Sequence, residues 1–130
     1  MRPLVLTALL FSAACAGDET LSGYADAQAT YLLETIDGAP FPARATIALP
    51  EEGRAEGEAP CNRWSAGQSA PYPWFALGPI VTTRRACPDL AAEQAFLAAL
   101  AAMTLAEVQG PVLILSDEAG REMLFRAVQD

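Results

Sequence analysis

The sequence has 130 residues, sixteen acidic and eight basic, with a net charge of −8 and neither lysine nor histidine. That length holds one ordinary domain, and the charge excludes a nucleic-acid binder, because a phosphate backbone attracts basic patches and repels an acidic surface. Without histidine no Ser-His-Asp set and no His-activated cysteine can form, and the chain shows no phosphate-binding glycine loop or metal cluster, so it reads as a protein without catalytic residues, metal or cofactor.

The chain opens with Arg2 and an apolar run from Pro3 to Phe11, followed by Ser12, Ala13, Ala14, Cys15 and Ala16. A charged start, a short apolar stretch and a small-residue exit make a secretory signal over residues 1–14. The run is far short of the ~20 residues that span a bilayer. Two cleavages compete. Ser12-Ala13-Ala14-Cys15 resembles a bacterial lipobox, with Ser12 where Leu, Val or Ile is usual, and cutting there leaves Cys15 as a lipid-bearing N-terminus. Ordinary signal peptidase cleavage, after Ala14 or Ala16, is the alternative. Lipid attachment at Cys15 is preferred because an odd cysteine in an exported chain needs a fate. It places the protein in the periplasm, anchored to the outer membrane by its lipid. Residues 15–29 are small, polar and weakly periodic and read as a flexible tether, with the domain over residues 30–130.

Thr30 to Ile36 is rich in β-branched and aromatic residues and ends at the turn signal Asp37-Gly38. Ala43 to Leu49 reads as a second strand with Ala45, Ile47 and Leu49 on one side. Arg54 to Ala59 reads as a polar third strand, whose Glu56 and Glu58 share a solvated face. Trp74 to Leu77 and Ile80 to Thr83 are short β-like runs split by Gly78-Pro79, and Pro71 and Pro73 make the stretch around Tyr72 an edge or loop. From Pro88 to Met103 the period changes: Leu90, Phe96, Leu97, Leu100 and Met103 make one helical stripe, with Pro88 suited to the first helical position and Asp89 to the helix dipole. Leu105 to Val108, Val112 to Ser116 and Glu122 to Val128 then read as a three-strand meander, whose middle strand is apolar on both faces. Strands, one helix, then strands predict an α+β domain in which an antiparallel sheet curls around a single helix.

Cys61 and Cys87 default to a disulfide in an exported domain. The rival readings lack partners: a nucleophilic cysteine needs a base such as histidine, and zinc needs about four ligands.

Cys61-Asn62-Arg63-Trp64-Ser65 resembles the Gly-Cys-Asn-x-aromatic-small signature of the META domain, the family of the heat-shock lipoprotein HslJ. Thr83-Arg84-Arg85-Ala86-Cys87, followed by Glu93, Phe96, Leu97 and Leu100, is similar to the family's Thr-x-x-x-Cys and Glu-x-x-Phe-Leu-x-x-Leu run. Tyr31-Leu32-Leu33 and Val112 to Phe125 fit its opening strand and closing hairpin. Pro60 stands where the family has glycine, and Tyr31 where tryptophan is usual. The resemblance implies a half-barrel of about seven to eight strands with one helix, in which Asn62, Trp64, Thr83, Glu93, Phe96 and Leu100 are structural. It also implies a setting in envelope stress and antibiotic tolerance, and no settled enzymatic activity.

Three roles follow as expectations. The first is a non-catalytic envelope lipoprotein that binds an envelope protein or supports envelope integrity. The second is a carrier of lipid or another apolar ligand, with Trp64, Tyr72, Trp74 and Phe75 as cleft residues. The third is an inhibitor of a basic enzyme such as a lysozyme, suggested by the acidic surface.

Overall fold

A computed structural model describes residues 3–5 and 17–128 of the protein. Apart from residues 3–5, the expected leader, and with it Cys15, lies outside the described residues. No helix among those residues is long and apolar enough to cross a membrane.

Strand β1 (Thr30–Ile36) alternates as its β-branched and aromatic residues require, with Tyr31 and Leu33 buried. Asp37 and Gly38 both take positive φ, 53° and 80°, and turn the chain into the two-residue β2 (Ala39–Pro40). β3 (Thr46–Ala48), β4 (Gly53–Glu58), β5 (Arg63–Gln68) and β6 (Val81–Thr82) follow; then come helix α1 (Leu90–Ala102) and the meander β7 (Leu105–Gln109), β8 (Val112–Ser116) and β9 (Glu122–Val128). Among the described residues the nine strands form one antiparallel sheet in the order β6-β5-β4-β3-β1-β9-β8-β7, with β2 beside β1. The sheet curls around α1 without closing, so the α+β class and the single helix expected from the sequence hold. Inward residues of the sheet and Phe96, Ala99 and Leu100 of the helix share one core.

Residues 73–78 cover part of the gap between the two outer ends. The Phe75 N–H donates to the Thr104 carbonyl (2.9 Å) and the Ala106 N–H to the Pro73 carbonyl (2.8 Å). On the other side the Gly78 N–H donates to the Gly67 carbonyl (2.9 Å) and the Ala76 N–H to Gln68 Oε1 (2.9 Å). The edge groups at Thr104, Ala106 and Gly67, which would otherwise be open to another chain, are thus satisfied within the protein.

Several expected elements shift. Trp74 to Leu77 is this irregular strap rather than a strand, held by isolated bridges at Trp74↔Leu105 and Gln68↔Leu77. Ala43 to Leu49 contracts to β3, although Ala45, Ile47 and Leu49 are all buried as expected. β5 was not legible: its inward residues are Trp64, Ala66 and Gln68, one aromatic, one small and one polar, which gives little alternation of hydropathy. The helix begins at Leu90, so Pro88 lies before it, and Asp89 is its N-cap residue without a side-chain cap bond. Leu90 is 39% exposed and leaves the stripe, while the acidic Glu93 is buried in it.

The tether expected over residues 15–29 is corrected for its later part. Residues Leu21–Gly23 form a 3-10 turn with Leu21 fully buried. The Tyr72 N–H donates to the Glu19 carbonyl (2.7 Å), and Tyr24 stacks on Tyr72 with ring centroids 4.3 Å apart. The segment is polar in composition, but one leucine and one tyrosine suffice to dock it.

Candidate functional site

The residues carrying the sequence signature meet where the β4–β5 turn touches the first turn of α1. Glu93 is 4% exposed and sits at the helix N-terminal end, where a carboxylate is favoured. Its Oε1 accepts the N–H groups of Cys61 (3.0 Å) and Asn62 (2.8 Å), and its Oε2 accepts Asn62 Nδ2 (2.7 Å). A buried carboxyl requires such partners.

Asn62 then reaches the segment before the helix. Its Nδ2 also donates to the Arg85 carbonyl (3.0 Å), and its Oδ1 accepts the Arg85 N–H (2.6 Å) and the Thr83 hydroxyl (3.0 Å). Thr83 Oγ1 in turn accepts the Arg63 N–H (3.1 Å). Both polar ends of the Asn62 amide are used, which fixes its orientation. Beside this network Cys61 and Cys87 are bonded, with Cα atoms 5.6 Å apart. Asn62, Thr83, Glu93 and the two cysteines are therefore brought together.

Trp64 and Phe96 belong to the layer beneath. Trp64 is 2% exposed, its ring meets Phe96 at 64° with centroids 6.3 Å apart, and its Nε1–H donates to the Thr46 carbonyl (3.1 Å). Leu100 is fully buried in the same core. The four proposed cleft residues are not gathered around one cleft. Trp64 and Phe75 are core side chains, Tyr72 stacks on Tyr24 and its hydroxyl accepts the Val108 N–H (3.2 Å), and Trp74 stands 53% exposed. Ordinary packing claims Trp64, Phe75 and Tyr72, because an aromatic ring buries a large apolar area, and leaves Trp74 at the surface.

Above the network lies a cavity of about 290 Å³ lined by Arg44, Glu58, residues 59–62, Arg63, Thr83 and Arg85. Sequence reasoning missed it, because its arginines come from three segments and share no motif. Among the described residues no group of three or more His, Cys, Asp or Glu side chains is placed to hold a metal ion.

The META domain family model matches residues 25–130. The chain is similar in fold to the NMR structure of a protein from Burkholderia xenovorans, at 21% identity over 78% of this chain and 83% of that one, with a TM-score of 0.62. A second NMR structure aligns at 17% identity over 77% and 89% of the two chains, with a TM-score of 0.60. The crystal structure of a DUF4847 family protein from Bacteroides vulgatus aligns at 17% identity over 66% and 61%, with a TM-score of 0.55. No curated protein matches the chain.

Proposed function

Since the chain belongs to the META domain family, we propose that it is a non-catalytic cell-envelope protein, anchored by lipid at Cys15, whose domain binds an envelope partner and supports the envelope under stress. The observation that carries this reading is the use made of the signature's polar groups. Asn62, Thr83 and Glu93 direct their side-chain atoms at one another and at nearby backbone, which is what a structural clasp needs. The Cys61–Cys87 bond beside them supports an oxidising compartment. Carriage of an apolar ligand has less support, because three of the four aromatic rings it calls for, Trp64, Tyr72 and Phe75, are engaged in packing.

Fractionation of the native host tests the reading. The wild-type protein is expected with the membranes and Cys15→Ser in the soluble periplasm. Recovery of the wild-type protein from the cytoplasm would end the proposal, as would substrate turnover abolished by one exposed side-chain change.

A further inference from the structure

The cavity above the clasp concentrates positive charge on an acidic protein. The described residues include seven arginines. Four make ion pairs: Arg44 with Glu58, Arg54 with Glu56, Arg121 with Asp37 and Arg126 with Glu34. Arg63, Arg84 and Arg85 make none among the described residues, and two of these, Arg63 and Arg85, line the cavity together with Arg44. Three arginines and Glu58 give the lining a charge of +2 (three minus one), on a chain whose net charge is −8.

The backbone beneath these cations is fixed. Arg63 lies opposite Glu58 in the β4–β5 register, and its carbonyl accepts the Thr83 N–H (3.1 Å). Arg85 is held through both its N–H and its carbonyl by Asn62. The ordering cost that usually opposes binding falls partly on folding instead.

From this geometry we propose that the cavity is an anion site that takes a phosphate monoester group. A guanidinium presents a planar fork that matches phosphate oxygens two at a time. The Glu93 carboxylate beneath Asn62 offsets one of the two excess charges of the lining, and the remaining positive balance favours an anion. Of the nearby carboxylates, Glu56 on β4 is paired with Arg54, and acidic groups beyond about 10 Å are largely screened at 0.1 M salt. The volume lies at or below the small end of small-molecule sites, enough for a phosphate with a small organic body. Such a group comes either on a free phosphate ester or on a phosphorylated lipid headgroup. The site stands independently of the protein's location and of its envelope role.

The test is an NMR titration of the mature protein with glycerol 3-phosphate and, separately, with phosphatidylcholine vesicles containing phosphatidic acid. Saturable shifts are expected at Asn62, Arg63, Thr83 and Arg85, weakening as salt rises. The double variant Arg63→Gln/Arg85→Gln is expected to lose at least about tenfold in affinity, from the size of charge-assisted hydrogen bonds, while Arg54→Gln/Arg126→Gln keeps it. Arginine-dependent binding of the ester identifies a free ligand, and arginine-dependent binding of the vesicles alone identifies a headgroup. If the double variant does not fold, Arg63→Gln alone, with a solvent-facing side chain, is expected to lose affinity several-fold by the same reasoning. No saturable shift with either probe, or equal loss in both double variants, overturns the proposal.

Discussion

Glu93 accepts a 2.7 Å hydrogen bond from the side chain of Asn62, thirty-one residues earlier in the chain, in a buried setting. Through this contact the first turn of α1, the β4–β5 turn and the segment that precedes the helix become one unit. The Cys61–Cys87 bond crosses the same junction.

Replacing Glu93 with Gln keeps the volume but turns one acceptor oxygen into a donor facing N–H groups. The expected loss is about 1.5–3 kcal/mol, the range for hydrogen bonds to charged groups. It should appear as a lower urea midpoint at unchanged slope. A shift within error would mean that the clasp contributes nothing to stability.

Gly57 marks a close approach of backbones. A Cβ there would overlap the Thr46 carbonyl and lie 3.0 Å from Trp64 Nε1. Gly57→Ala is expected to cost about 3 kcal/mol, at the upper end for overpacking, and to break the Trp64–Thr46 bond. In a Trp74→Phe background, which leaves Trp64 as the sole indole, its fluorescence should shift to the red.

Leu21 distinguishes a docked segment from a loose one. It is fully buried, so Leu21→Ala should cost about 2–5 kcal/mol. A residue of a free tether would change stability by less than about 0.5 kcal/mol. Thermal unfolding of the two proteins decides the matter.

Two aspartates make stability pH-dependent. The Glu122 N–H, 2.9 Å away, is the main influence holding Asp37 below its usual 3.8; desolvation opposes it and Arg121 adds to it. For Asp18 burial is the largest influence and pushes upward, but bonds from the Ser22 hydroxyl and from the Thr20 hydroxyl and N–H outweigh it. With folded values depressed, the unfolded chain binds more protons as the solution is acidified. This stability is therefore complete above the unfolded value and lost as pH falls through the folded one. Melting temperature should decline below about pH 4, and Asp37→Asn should flatten that decline. An unchanged slope in the variant would count against the assignment.

How far the sequence spoke for itself varied with the element. β1, β8 and β9 have the expected bounds, because apolar runs, alternating in β1 and continuous in β8, bounded by the Asp37-Gly38, Gly110-Pro111 and Asp117-to-Gly120 turns leave little freedom. β5 escaped because Gln68 and Ala66 share its inner face with Trp64. Apolar periodicity could not place Glu93 in the helical stripe, since its burial depends on donors from Cys61 and Asn62, far away in sequence. Only the spacing shared with the META domain marked it. The docking of residues 18–25 and the cluster of Arg44, Arg63 and Arg85 arise from tertiary contacts that no local pattern encodes.

The most direct test is an intact-mass measurement on protein taken from its native host under alkylating conditions. The account predicts a chain that starts at a lipid-bearing Cys15, with Cys61 and Cys87 unalkylated until a reductant is added. A full-length chain starting at Met1, with both thiols alkylated at once, would contradict it.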